Sequence, residues 1–378
     1  MSDKIKVALY VPTLLGGGAE RVFVNLANYF IENNIEVIFI TSFDKGYINQ
    51  LNRSIKVKFI LKKSRFGNHL FNTVHRLLIS IIKLINILIT SKPDYLLTTL
   101  DEANIIGYIC NIGCFRKTKH IVRQASIFDK KKYGFLKEKI LGKSFRSSYL
   151  VVANSPDTKE SLETFITELR DKIIVIGNPI FNADHFQYLS TEDENFILDC
   201  PYILSVGRLN AVKDHLTLIN AFRIVREVYD NINLIILGDG PLKSVLEKEI
   251  HNLGLTDCTI LFGFQKNPYT FYKNASIFVL SSLSEGFGNV IVEALSFGKA
   301  IVSTACSGGP KYILDNGKYG ILVPVKDPKS MAKAMISILD GSIVFDSNTQ
   351  ISRANDFSIN NIGSKYLQIF TSNKGYTQ

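Results

Sequence analysis

Residues 202–215 read YILSVGRLNAVKDH: five strand-forming residues from Tyr202 to Val206, then Gly207 and a turn that leads into a helix. Set in the middle of a chain of 378 residues, this stretch restarts a pattern already complete upstream. Before it, short β-branched runs at 6–11, 36–41, 56–61, 95–99, 119–122, 149–153 and 172–176 alternate with helical stretches such as 19–32, where Val22, Leu26 and Phe30 keep to one face. After it come runs at 233–238, 259–262, 277–280, 300–303 and 320–323. Most are too continuously apolar for half-exposed strands and suit parallel strands covered on both faces. Strand and helix alternating twice over predicts an α/β chain of two Rossmann-like domains facing across a cleft. The length agrees, because a single core stops growing at about 250–300 residues. Turn-forming and acidic residues over 177–195 mark the seam. The expected division is therefore 1–178, 179–355 and a closing helical segment over 356–378, which the sequence leaves able to pack back on the N-terminal domain or on the other.

Charge separates the halves. Residues 1–178 hold 27 Lys and Arg against 15 Asp and Glu, whereas 179–378 hold 17 against 19. Within the first half, Arg116, Lys117, Lys119, Arg123, Lys130, Lys131, Lys132, Lys137, Lys139, Lys143 and Arg146 face only Asp129 and Glu138 in sequence. Such a patch attracts phosphate-bearing partners: lipid head groups, a pyrophosphate-linked acceptor or nucleic acid. It also has a bland reading, a solvated face. Nucleic acid is not expected, since no aromatic-rich platform for single strands accompanies the charge. Lys62, Lys63, Arg65, His75, Arg76 and Lys83 interleave with Phe66, Leu70, Phe71, Leu77 and Ile81, a surface-seeking amphipathic pattern that competes with a simple core helix over 77–89. That apolar run contains Ser80, Lys83 and Asn86 and falls short of the roughly 18 uncharged residues of a spanning helix, so no transmembrane segment is expected. No cleavable leader is expected either, because MSDKIKVALYV passes directly from charge into strand. Five cysteines, Cys110, Cys114, Cys200, Cys258 and Cys306, form no CxxC pair and suit a reducing cytoplasm. Cys110 and Cys114 read as a packed thiol pair on one helix face.

Three segments point to chemistry. Gly16-Gly17-Gly18-Ala19-Glu20-Arg21 follows the first strand and opens a helix, where consecutive glycines let backbone approach a phosphate or sugar. It fails the dinucleotide fingerprint, because Arg21 stands where the third glycine belongs. Arg208 and Lys213 lie near the end of one strand, and a diphosphate is the natural ligand for such a pair, which as ordinary surface cations would signify nothing. Ser284-Glu285-Gly286-Phe287-Gly288-Asn289-Val290-Ile291-Val292-Glu293 then places one carboxylate at a strand exit and another about two turns into a helix. Amides of Gly286, Phe287, Gly288 and Asn289 are candidates to bind a diphosphate. Glu293, on an apolar helix, needs a hydroxyl or cationic partner, and a ribose diol would serve.

Taken together, Glu285 and Glu293 with seven residues between them, Gly207-Arg208 with Lys213, the Gly16–Gly18 loop, and Ser307-Gly308-Gly309-Pro310 resemble glycosyltransferase family 4, a retaining family of the GT-B fold. The resemblance spans nearly the whole chain. It implies that Glu285 contacts donor-sugar hydroxyls, that Glu293 holds the ribose, and that Arg208 and Lys213 neutralise the diphosphate as it leaves. It further implies that Gly16, Gly17 and Gly18 line the donor from the opposite domain, and that Gly263 and Phe264 meet the nucleobase. Gly207 belongs to the same donor-binding set. Where many members carry a histidine, this chain has Arg123 and Gln124, the candidates for an acceptor or sugar contact. Fixed cations and helix amides stabilise a departing diphosphate more than the ground state, so no metal or other cofactor is expected, and no convincing DxD motif is present. Retention by front-face departure, assisted by a phosphate oxygen, needs no enzymic nucleophile.

GGGAERV, GFQKNPY, SEGFGNVIVEAL and SGGPKYIL are similar to segments of enzymes that extend polyprenyl-diphosphate-linked oligosaccharides or capsule and O-antigen precursors, N-acetylhexosamine transferases among them. The resemblance thus implies a UDP-sugar donor, a lipid-linked or polysaccharide-precursor acceptor, and a peripheral location at the cytoplasmic face of an anionic membrane. Two other readings stand beside it. A non-catalytic nucleotide-sugar-binding protein would keep the same binding residues. A nicotinamide-dependent oxidoreductase would use the first glycine loop with Asp44 as its ribose acid, and the missing third glycine counts against it.

Overall fold

Every strand pair among the described residues is parallel and the central strands of each sheet are buried, which accounts for their continuous apolar runs. The computed structural model describes residues 4–14, 17–43, 46–61, 69–114, 117–182 and 200–372. Two compact units result: Met1–Pro179 together with Ile359–Gln378, and Ile180–Ser358.

The first unit carries a seven-stranded sheet in the order β3-β2-β1-β4-β5-β6-β7. Its strands are β1 Lys6–Tyr10, β2 Glu36–Thr41, β3 Lys56–Phe59, β4 Tyr95–Thr99, β5 Lys119–Gln124, β6 Leu150–Ala153 and β7 Ile173–Val175. Helix α1 (Gly18–Glu32) follows β1, and α2 (His69–Ser91), α3 (Asp101–Gly113), α4 (Phe135–Ser147) and α5 (Pro156–Phe165) make the later crossovers. α2 packs on α3 and α3 on α4, because right-handed crossovers in one direction place their helices on one face of the sheet. α2 reconciles the two readings of its sequence: Leu84 and Leu88 are buried in the core, while Leu78, Ile82 and Ile89 stay exposed. Lys62, Lys63, Arg65 and Phe66 lie outside the described residues, as do the side chains of Leu70 and Phe71. Cys110 and Cys114 point from α3 toward α2, their thiols 3.5 and 3.9 Å from the carbonyl oxygens of Ile81 and Ile85. Burial pushes the Cys110 thiol up to about 12.

The second unit carries a six-stranded sheet in the order β10-β9-β8-β11-β12-β13. These are β8 Tyr202–Val206, β9 Asn233–Leu237, β10 Thr259–Gly263, β11 Ile277–Leu280, β12 Ala300–Thr304 and β13 Ile321–Val323. The helices are α6 (His215–Arg226), α7 (Lys243–Asn252), α8 (Tyr269–Asn274), α9 (Asn289–Ser296), α10 (Pro310–Ile313), α11 (Pro328–Leu339) and α12 (Ser347–Asn355). A core of Ile203, Leu218, Phe222, Ile236, Val279 and Met331 fills the space beneath α6 and α11.

The chain then returns to the first unit. Helix α13 (Ile359–Thr371) lies on α1. Phe370 packs edge-on against Phe30 with ring centroids 5.2 Å apart, and its carbonyl accepts the Tyr95 hydroxyl at 3.1 Å. Gly363 allows this approach, since a Cβ there would fall 2.3 Å from the Tyr29 ring. Among the described residues no helix is long and apolar enough to cross a membrane.

Candidate functional site

In an open parallel sheet, ligands bind outside the carboxyl ends of the strands where the strand order reverses. In the second unit that point lies between β8 and β11, which pair directly. The β8 exit supplies Gly207, Arg208 and Lys213; the β11 exit supplies Ser281, Ser282 and Glu285. Lys213 Nζ stands 2.5 Å from Glu285 Oε1, and the Ser282 hydroxyl donates to the same oxygen at 2.6 Å. Two backbone ties hold the loops in register: Ser281 Oγ donates to the Lys213 carbonyl at 2.8 Å, and Leu283 N to the Val212 carbonyl at 2.8 Å. Gly207 is where the lysine stem lies, since a Cβ at that position would meet Lys213 Cδ and Cε at 3.3 Å. Gly238 brings the next strand exit equally close; its φ is +144°, and a Cβ there would lie 1.9 Å from the Gly207 carbonyl oxygen. Arg208 is exposed at the same exit, with no carboxylate partner among the described residues. His215, just beyond Lys213, is buried with Nδ1 unpartnered among the described residues. Burial, then the Lys213 charge, lowers its pKa to about 4.

The segment after Glu285 is shaped by its neighbours. Ser284 and Ser307 form a parallel bridge, and Glu285 N donates to the Ser307 carbonyl at 3.1 Å. A Cβ on Gly308 would lie 1.9 Å from the Glu285 carbonyl oxygen, and one on Gly309 would lie 1.9 Å from that of Phe287. The paired glycines of residues 307–310 therefore permit a backbone-on-backbone stack. Phe287 corrects one expectation. Its ring is buried, edge-on to Phe357 at 5.5 Å, so only its backbone remains for a ligand. Gly288 is likewise buried, and Gly286 and Asn289 half-buried, so the four amides do not form an exposed row. Gly288 has a φ of +97° and caps α9, which begins at Asn289. Glu293 is consequently one turn into its helix, about 6 Å along the axis from Asn289, not two. It is only 6% exposed, and Tyr272 on α8 donates its hydroxyl to Glu293 Oε2 at 3.0 Å. Gly263, with φ +83°, ends β10, and its carbonyl accepts Gly238 N at 2.8 Å. Phe264 beyond it is 74% exposed.

In the first unit, Gly16 lies outside the described residues. Gly17 is the N-cap of α1 and Gly18 its first residue. Glu20 holds this turn from within: Oε2 accepts Gly17 N at 2.9 Å and Oε1 accepts the Thr13 hydroxyl at 2.5 Å. Arg123 requires a second correction. It is fully buried, its guanidinium donating to Thr99 Oγ1 at 3.3 Å and to Asn178 Oδ1. Burial lowers its pKa, and the neighbouring Tyr366 hydroxyl opposes that shift. Gln124 is 3% exposed and donates to the Ser126 carbonyl at 3.0 Å. Ending a strand covered on both faces, these two side chains serve the domain interior, not a solvent-facing contact.

Known proteins resolve the family. A model described as Glycosyltransferase Family 4 matches residues 16–181, and one described as Glycosyl transferases group 1 matches residues 189–356. An uncharacterized glycosyltransferase of Methanocaldococcus jannaschii is 32% identical over 324 residues, covering 74% of this chain and 80% of that protein. The chain is a family 4 glycosyltransferase. A Campylobacter jejuni relative, named as an α-1,4-N-acetyl-D-galactosaminyltransferase acting on a diNAcBac-PP-undecaprenol-linked saccharide, is 28% identical and covers 97% of this chain and 98% of its own. The crystal structure of Anabaena HepE in complex with UDP superposes with a TM-score of 0.78 at 18% identity, over 97% of this chain and 99% of that one, and the shared fold is GT-B.

Within this glycosyltransferase the sequence reading missed several residues that the fold brings to the strand exits. Ser282 is a small polar residue among others in a loop and carries no signal of its own. Tyr272, in a six-residue helix, reads as core. Leu100, between β4 and α3 at the reversal point of the first sheet, has a φ of +73°, a conformation that costs a non-glycine residue about 1–3 kcal/mol. Such strain is visible only in a backbone.

Proposed function

We propose that this glycosyltransferase moves a sugar from a UDP-sugar, with retention at the anomeric carbon, to an acceptor carried on a polyprenyl diphosphate or an equivalent polysaccharide precursor. The observation that supports it best is the Lys213–Glu285 pair at the reversal point of the second sheet. Lys213 and the exposed Arg208 would neutralise the diphosphate, Glu285 would take the sugar hydroxyls, and Glu293 the ribose. Gly263 and Phe264 complete the second unit's donor set, with the backbone of residues 286–289. In the step itself the glycosyl carbon–oxygen bond to the diphosphate breaks and the acceptor hydroxyl oxygen bonds the anomeric carbon. The acceptor proton passes to a phosphate oxygen, and UDP leaves. Fixed cations placed where charge develops lower the barrier without reorganising, so the reading calls for no divalent ion. UDP as the nucleotide is supported by the HepE complex, and a lipid-linked acceptor by the Campylobacter relative.

An anionic membrane face is the proposed workplace. Phe135 and Leu136, which open α4, are 79% and 70% exposed. Lys139 Nζ lies 5.5 Å from the Phe135 ring centroid, and Lys132, Lys139 and Lys143 have no carboxylate partner among the described residues, whereas Lys130 and Lys137 pair with Glu138 and Asp101. Exposed apolar residues accompanied by lysines suit insertion at a negatively charged interface. The deciding experiment measures UDP release from a panel of UDP-sugars, with and without a polyprenyl-diphosphate oligosaccharide, for the wild type, Glu285→Ala and Lys213→Ala. Acceptor-dependent release that both variants lose is the expected result; absence of UDP binding would overturn the reading.

A further inference from the structure

Glu293 is a charged residue set among apolar neighbours of its own helix. Its α9 neighbours Ile291, Val292, Ala294 and Leu295 are fully buried, and Glu293 as a residue is 6% exposed. A carboxylate in such surroundings is costly unless hydrogen-bonded, and a long side chain loses rotamer freedom on being held. The Tyr272 hydroxyl reaches Oε2 at 3.0 Å. Tyr272 is itself immobilised: it is fully buried, its ring lies parallel to Phe297 with centroids 5.9 Å apart, and it tilts against Phe278 at 5.6 Å. Its helix is fixed in turn by the Tyr202 hydroxyl, which donates to the Phe271 carbonyl at 2.8 Å. A rigid aromatic lever thus sets the direction of one carboxylate oxygen from outside the helix that carries it.

We infer that Tyr272 is a positioning residue for nucleotide recognition: by holding Glu293 Oε2 it aims the carboxylate so that its other oxygen accepts from the vicinal hydroxyls of the donor ribose. The inference rests on the proposed ribose role of Glu293 and extends it to a residue that does not touch the ligand. Preorganisation of this kind acts on discrimination between nucleotides bearing and lacking the diol, because only the former use the aimed oxygen. A purely structural tyrosine would affect both alike.

The test is calorimetric binding of UDP and of 2′,3′-dideoxy-UDP to the full chain, for the wild type, Tyr272→Phe and Glu293→Gln, with melting temperature recorded for each. Tyr272→Phe retains the ring stack and removes only the hydroxyl. The expected result is that wild type prefers UDP, that Glu293→Gln abolishes most of the preference, and that Tyr272→Phe lowers it about five- to tenfold, because the hydroxyl orders the carboxylate and does not itself touch the ligand. Affinity for the dideoxy analogue should stay unchanged, and in turnover KM for the donor should rise with kcat largely kept. A preference retained in Tyr272→Phe but lost in Glu293→Gln would overturn the role of Tyr272 alone. Equal weakening of both ligands in Tyr272→Phe would reduce it to packing. A wild type indifferent to the diol would remove the ribose role of Glu293 and this inference with it.

Discussion

Replacing Lys213 by Met keeps the aliphatic stem over Gly207 and removes only the ammonium, so it isolates the ion pair with Glu285. At a separation of 2.5 Å and an effective dielectric of about 20, the gross attraction is about 7 kcal/mol. Desolvation offsets much of it, because the two side chains are only 20% and 10% exposed. The net value should approach that of a charge-assisted hydrogen bond, about 1.5–3 kcal/mol, well above the roughly 0.2–1 kcal/mol of an exposed pair. A double-mutant cycle of Lys213→Met, Glu285→Gln and the double variant, each unfolded in urea, should return a coupling of about 2 kcal/mol, and each single variant should melt about 4–8 °C lower. Lys213→Met should also weaken UDP binding about tenfold or more, through loss of one charge-assisted phosphate contact. A coupling below about 0.5 kcal/mol, the range of exposed pairs, would refute the claim that the fold holds these two charges together as one unit.

Gly309→Ala places a Cβ 1.9 Å from the Phe287 carbonyl oxygen, where backbone and not a flexible side chain must yield; it should cost about 3 kcal/mol or more and lower melting temperature more than substitution of the open Gly341. Burial holds His215 at about 4 and His120 at about 3, against about 6.5 in the unfolded chain. The unfolded state therefore binds more protons below pH 6.5, so stability is fully present above that value and falls as pH drops toward 4, by up to about 1.4 kcal/mol per pH unit for each histidine. Urea titrations between pH 7 and 4.5 should show this slope, and His215→Asn should reduce it. Phe135→Ser with Leu136→Ser should abolish sedimentation with phosphatidylglycerol vesicles while leaving transfer to a water-soluble acceptor analogue unchanged; retention of vesicle binding would count against the α4 surface. Leu100→Gly should relieve the positive φ and raise melting temperature by a few degrees; a fall would show that packing of Leu100 outweighs its strain.

Much of the frame was legible from residues alone. The β-branched runs located each strand to within about two residues, because a strand covered on both faces must be apolar throughout and its limits are set by turn chemistry. Glu285 and Lys213 stood out because their spacing to Glu293 and Arg208 matches the family pattern. Arg123 misled because it stands where many members carry a histidine, and position in a motif does not reveal burial. Its burial depends on Thr99 and Asn178, 24 and 55 residues away. The position of Glu293 was misjudged by a turn because the helix was counted from the strand exit near Glu285, whereas the stack of Glu285 and Phe287 on Gly308 and Gly309 delays its start to Asn289.

The sequence by itself determined two parallel α/β sheets, the order of their strands along the chain, and the family motifs, since periodicity, glycine placement and charge are local properties. Tertiary structure decided the rest. It sent the last helix back to the first unit, where Gly363 lets it reach Tyr29, and joined Lys213 to Glu285 across 72 residues. It also gave Glu293 its hydroxyl partner from Tyr272. Each of these is a contact between residues distant in sequence, and the chain encodes such contacts only through the packing that makes them.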